Sequence, residues 1–165
     1  MSVHENSHTV MLCLVLTLAL LAAPAFADES PWYDEVADAD PGTRVAALLT
    51  GCTAALTDPT TVTAALTAAN WTRADEFDGT AGFQTTSTDM MFWQDPGFCM
   101  VSLTDFNTET LTAQLAKLGI PPSGQDADGC AQFKIEGTTA TLTGGGNDPA
   151  CTSTSEAVLR FEPAQ

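Results

Sequence analysis

The sequence predicts an α+β domain: a mainly antiparallel sheet of about five or six strands with two or three helices, held by two disulfides. Three observations point there. Apolar residues recur at helical spacing across 45–69 and again across 111–118. Each helical stretch leads into short Thr-, Val- and aromatic-rich runs separated by Gly, Pro and Asp, the pattern of strands and turns. Four cysteines, an even set, follow an apolar leader.

Residues 1–27 read as a secretory signal peptide. Its apolar stretch, Val10 to Ala23, is broken by Pro24. Ala25 and Ala27 then place small residues at the cleavage site. The apolar core is shorter than the roughly 20 residues a spanning helix needs, so cleavage is expected and no membrane span after it. The leader departs from the usual pattern in having no Lys or Arg before its apolar stretch, only His4 and His8. Removing 27 of 165 residues leaves 138, one domain by length, with periplasmic or extracellular localisation expected.

Residues 28–40 form an acidic N-terminal arm whose Trp32 and Tyr33 favour packing on the domain over free movement. The domain itself spans 41–165. Asp40-Pro41 is a helix start, with a capping side chain and proline at the first helical position. Val45, Leu48, Leu49, Cys52 and Leu56 form the buried stripe. Asp58-Pro59 repeats the signal, Val62, Ala65, Leu66 and Ala69 continue it, and Asn70 suits a left-handed stop.

Gly82 to Thr88 reads as extended. Met90 to Gln94 and Phe98 to Thr104 flank the turn Asp95-Pro96-Gly97, with Cys99, Val101 and Leu103 alternating onto one face. Asn107 caps a third helix, with Leu111, Leu115 and Leu118 inward and Gly119 as its stop. Cys130 to Glu136, Thr138 to Thr143 and Ala157 to Glu162 complete the strands. Thr61-Val62-Thr63-Ala64-Ala65-Leu66 matches Thr110-Leu111-Thr112-Ala113-Gln114-Leu115 at an offset of 49. This suggests a tandem unit of one helix and three strands, in halves 58–105 and 107–162.

An oxidising compartment favours two disulfides among Cys52, Cys99, Cys130 and Cys151. Three connectivities are open. The favoured one pairs Cys130 with Cys151 around a hairpin, and Cys52 with Cys99 to tie the first helix to the sheet. A zinc site fits poorly, for lack of C-x-x-C spacing or histidine after the leader; no metal or cofactor is expected.

The same composition bounds function. Lys and Arg number 5 against 21 Asp and Glu, a net charge of −16, which repels nucleic acid. Both histidines fall in the leader, so Ser-His-Asp and Cys-His chemistry is excluded from the mature chain. Carboxylates remain: Asp75, Glu76, Asp78, Asp89 and Asp105 lie near strand ends, where a facing pair would serve hydrolysis. Asp126-Ala127-Asp128-Gly129 has part of a calcium-loop spacing, but Gly124 and Ile135 stand where that loop needs acids. Asp34, Glu35, Asp38 and Asp40 form a second acidic run. Gly144-Gly145-Gly146 lacks the strand-to-helix setting of a phosphate loop.

Met90-Met91-Phe92-Trp93 is four large apolar residues in one strand, which must point to both faces of the sheet. With Phe98 across the turn, Phe92 and Trp93 form a candidate aromatic binding patch. The competing reading buries both faces beneath the 45–56 helix.

From Pro59 to Phe161 the chain resembles a loosely defined, functionally uncharacterised group of small exported proteins of alphaproteobacteria. The residues that carry this are Asn70-Trp71-Thr72, Leu118-Gly119-Ile120-Pro121-Pro122, Gly129-Cys130, Asn147-Asp148-Pro149-Ala150-Cys151 and Val158-Leu159-Arg160-Phe161. The resemblance implies export and an α+β fold and brings no catalytic residues. The expected function is a non-catalytic binding or accessory domain whose partner is another exported or envelope protein. A small carboxylate-dependent hydrolase and a weak calcium-binding domain are the alternatives.

Overall fold

The computed structural model describes residues 31–36, 40–74, 79–145 and 151–162. The expected leader, Asp38, Asp75, Glu76, Asp78 and the 146–150 turn lie outside the described residues.

The helices begin where the sequence caps them. Helix α1 is a single turn, Trp32–Glu35; α2 is Pro41–Ala55, α3 Pro59–Ala68 and α4 Thr108–Lys117. The Asp40 carboxylate accepts from the Thr43 N–H at 2.7 Å and the Asp58 carboxylate from the Thr61 N–H at 3.1 Å, each before a proline. Asn107 and Thr110 satisfy each other's orphan N–H groups in a capping box.

The ends of α3 and α4 match. Asn70 (φ 59°) and Gly119 (φ 81°) take the left-handed conformation that stops each helix. The following Trp71 and Ile120 return their N–H groups to the Leu66 and Leu115 carbonyls, at 3.1 and 2.9 Å.

Eight strands form one antiparallel sheet: β1 (Thr72–Ala74), β2 (Thr80–Gln84), β3 (Thr88–Trp93), β4 (Cys99–Leu103), β5 (Pro122–Gln125), β6 (Ala131–Ile135), β7 (Thr138–Gly144) and β8 (Ala157–Glu162). Their order is β1-β2-β3-β4-β8-β7-β6-β5. The expectation of five or six strands is thus too low, and each of α3 and α4 leads into four strands rather than three. The added strands, β1 and β5, are the sheet's two edges. Thr72-Arg73-Ala74 and Pro122-Ser123-Gly124-Gln125 are short and largely exposed, so they carry no apolar alternation. The two four-strand meanders meet at β4 and β8, in the centre.

The helices cover one face. Phe83, Phe92, Val101, Leu159, Phe161, Leu142 and Phe133 from the sheet pack with Leu48, Val62, Leu66, Leu111 and Leu115 in one core. The Phe83 and Phe92 rings stack at 6.1 Å. The disulfides are Cys52–Cys99, which staples α2 to β4, and Cys130–Cys151, which ties the start of β6 to the segment before β8.

The 31–36 segment lies on the domain. Gly51 of α2 is a seat for the Trp32 ring, which occupies the space a Cβ would need. The Trp71 indole N–H donates to the Tyr33 carbonyl at 3.4 Å. Among the described residues no helix is long and apolar enough to cross a membrane.

Candidate functional site

Strand periodicity divides β3 between two environments. Thr88, Met90 and Phe92 enter the core, while Asp89, Met91 and Trp93 project from the opposite face. Cross-strand register extends that outer face. Met91 lies opposite Gly82 on β2 and Met100 on β4, and Asp89 opposite Gln84 and Ser102. Met100 in turn pairs with Arg160 of β8, and Ser102 with Val158. The side chains enclose a depression of about 310 Å³, lined by Gly82, Met91, Met100, Asp89, Ser102, Glu156, Val158 and Arg160 among others. Gly82 contributes no side chain, and that opens the floor between β1 and β3.

The polar rim is organised around Ser102. Its hydroxyl donates to Glu156 Oε1. Asp89 faces the same serine from the neighbouring strand. Burial raises the Asp89 carboxyl above its ordinary pKa, and the Glu156 charge pushes it the same way. Both effects disfavour a second negative charge at this spot.

Glu156 is set in place by the segment before β8. Its N–H donates to Ser153 Oγ at 3.2 Å, and the Ser153 N–H donates to Thr108 Oγ1 at 3.1 Å. That anchors the segment to the first turn of α4, while Cys151 anchors it to Cys130. Gly145 faces Glu156 across the strand end; a Cβ there would occupy the position of the Glu156 side chain. The missing side chain at 145 lets Glu156 lie back against Ser102.

Arg160 lines the depression on β8. Its Nε is buried and has no hydrogen-bond partner, and it forms no ion pair with Asp89 or Glu156. An unsatisfied buried donor costs about 1–3 kcal/mol. The cavity therefore holds charges of both signs that do not neutralise one another.

The candidate residues read from sequence separate by depth. Phe92 is fully buried, at 0% exposure, and drops out of the aromatic patch. The reason is periodicity: neighbours in a strand face opposite ways, so Phe92 and Trp93 cannot share a surface. Trp93 is 48% exposed and packs on half-buried Phe98 with ring centroids 5.4 Å apart. Trp93 also lies on the Met91 side of β3, so it shares the outer face with the depression without lining it.

Of the acids, Asp89 belongs to the site and Asp105 pairs with Arg44. Asp126 does not point at a metal: its Oδ1 accepts from the Asp128 and Cys130 N–H groups at 3.0 and 2.8 Å, closing its own turn. Asp34 and Glu35 sit on α1, and Asp40 caps α2. Among the described residues no three His, Cys, Asp or Glu side chains converge as a metal site requires.

Sequence reasoning missed Met100, Ser102, Glu156 and Arg160. The first two were legible, since alternation from Cys99 already places them opposite the core. Glu156 had no signal, because it precedes a strand and is positioned by a disulfide and a hydroxyl network. A larger depression of about 470 Å³ lies between α1, the end of α3 and the β2–β3 turn. It is lined by groups such as Tyr33, Asn70, Trp71 and Thr85, and among the described residues Asp34 is its one charged side chain.

Chemically, the arrangement holds and orients more readily than it reacts. Ser102 has a carboxylate neighbour, a base too weak to ionise a hydroxyl at neutral pH. Cys52, Cys99, Cys130 and Cys151 are consumed in disulfides. No family model, curated protein or solved structure matches the chain.

Proposed function

We propose that this protein is a non-catalytic binding domain of the cell exterior or periplasm, which engages another exported or envelope protein through the outer face of its sheet. The observation that carries the reading is the contrast between the two faces. One is sealed by helices around a continuous core. The other presents Trp93, Met91 and Met100 beside Asp89, Glu156 and Arg160, which form no ion pair among the described residues. An exposed tryptophan and partly exposed methionines beside polar groups are the composition of protein-binding surfaces. Two disulfides support an exterior location.

Site-specific photo-cross-linking in the producing cells tests this. A photoreactive residue at Met91 or Trp93 should give one discrete adduct, and the same residue at Glu109 on α4 should give none. Equal labelling from both faces, or no adduct from the sheet face, would remove the proposal.

A second reading has its own observation. Asp89, raised in pKa beside Glu156, is the type of unequal acid pair that hydrolases use. It predicts turnover of glycoside or related substrates that Asp89→Asn abolishes. Against it stands the Ser102 hydrogen bond, which engages one Glu156 oxygen.

A further inference from the structure

The geometry points to a small-molecule subsite within the outer face: the depression between Asp89, Glu156 and Arg160 takes a zwitterion of the amino-acid or short-peptide class, an ammonium and a carboxylate on a short apolar frame. The inference goes beyond protein docking and does not depend on it.

Three features select that class. The first is the pairing of charges. Asp89 from β3 and Glu156 from just before β8 flank Ser102 on one face of the sheet, and nothing among the described residues brings a cation within ion-pair distance of either. Like charges held close favour an occupant that supplies a positive group. The second is Arg160. Among the described residues its guanidinium forms no ion pair, although two carboxylates line the same cavity. A ligand carboxylate meets that guanidinium with the charge-assisted geometry that arginine favours. The third is the frame between them. Met91, Met100 and Val158 offer apolar contact, and Gly82 leaves room above it.

Size agrees. A volume of about 310 Å³ lies at the low end of the roughly 300–1,000 Å³ typical of small-molecule sites. A purely cationic ligand would leave Arg160 unsatisfied and bring a second positive charge beside it. A purely anionic ligand would face two carboxylates. Only a molecule with both charges meets every group on the lining.

The test is a chemical-shift titration of the full chain, disulfides intact, with free L-methionine and L-leucine. Their N-acetyl forms, which lack the ammonium, and their amides, which lack the carboxylate, are run alongside. The expected result is saturable shifts at Ser102, Met91, Met100 and Arg160 with the free amino acids. Each blocked form should bind at least about tenfold more weakly, and Arg160→Met and Glu156→Gln should lose a similar factor while keeping the wild-type fold by spectrum. No saturable shift at tens of millimolar overturns the inference. So does an amide or an acetyl form that binds as tightly as the free amino acid, or an Arg160→Met variant with unchanged affinity. If cross-linking from the sheet face fails while the titration succeeds, docking is wrong and the subsite stands; the reverse pattern separates the two the other way.

Discussion

At the scale of single residues, neighbours in β3 make opposite contributions. Phe92 is sealed in the core against Phe83, whereas Trp93 is half in solvent. Phe92→Ala should cost about 3–5 kcal/mol from lost burial and a residual cavity, and Trp93→Ala far less. Denaturant unfolding of the two variants checks the difference, and equal losses would mean the register is wrong. Asp89 makes a prediction of the other sign. Its pKa is raised on folding, so the folded state binds the proton more tightly and the charge opposes folding at neutral pH. That penalty is relieved as pH falls through the folded-state pKa. Asp89→Asn should therefore raise the melting temperature at neutral pH, with the gap to wild type narrowing in acid. The cap residues Asp40 and Asp58 run the opposite way. Hydrogen bonds from Thr43 and Thr61 lower their pKa values. Their stabilisation is present above the ordinary carboxylate pKa and fades as pH falls through the lowered one.

At the scale of elements, the three longer helices were legible, although Leu118, read as facing inward, is exposed; the single-turn α1 and the edge strands were not. Every cap and stop was written locally: Asp40-Pro41, Asp58-Pro59, Asn107, Asn70 and Gly119 each act within a few residues of where they stand. The offset of 49 that aligned the two helical stretches also aligns Leu66 with Leu115, Asn70 with Gly119 and Trp71 with Ile120 in matching helix stops. The central strands followed from alternation. β1 and β5 did not, since an edge strand half in water needs hydrogen-bond partners more than apolar side chains. The site shared that division. Asp89, Trp93 and, by alternation, Met100 and Ser102 are set by strand period, whereas Glu156 and Arg160 join Asp89 in one depression only because β8 pairs with β4 across the centre of the sheet. Asn107→Ala removes one arm of the capping box and should destabilise the protein by about 1 kcal/mol. Chemical denaturation measures this, and an unchanged midpoint would show that tertiary packing alone holds the start of α4.

At the scale of the whole molecule, two meanders share one sheet and the described helices lie on one side, an arrangement that leaves the other side to be explained by something other than folding. The Cys52–Cys99 bridge locks the longest helix to the central strand over a sequence separation of 47. Chain-entropy reasoning gives it about 4 kcal/mol. A Cys52→Ala, Cys99→Ala double variant should lose roughly that much, read as a shift in guanidinium midpoint. The Cys130–Cys151 bridge closes a separation of 21 and also holds the segment that delivers Glu156 to the outer face. The net charge of −16 adds a long-range field that attracts cationic partners and weakens with salt.

Two adjacent methionines offer the most direct test of the division between a sealed face and a binding face. Met90 is 1% exposed in the core, while Met91 and Met100 line the outer depression. Peroxide footprinting read by mass spectrometry should convert Met91 and Met100 to sulfoxides in the purified protein and spare Met90. In the intact producing cells Met91 and Met100 should become protected as well. Oxidation of Met90 as fast as Met91, or a Met91 and Met100 footprint unchanged between purified protein and cells, would contradict the account.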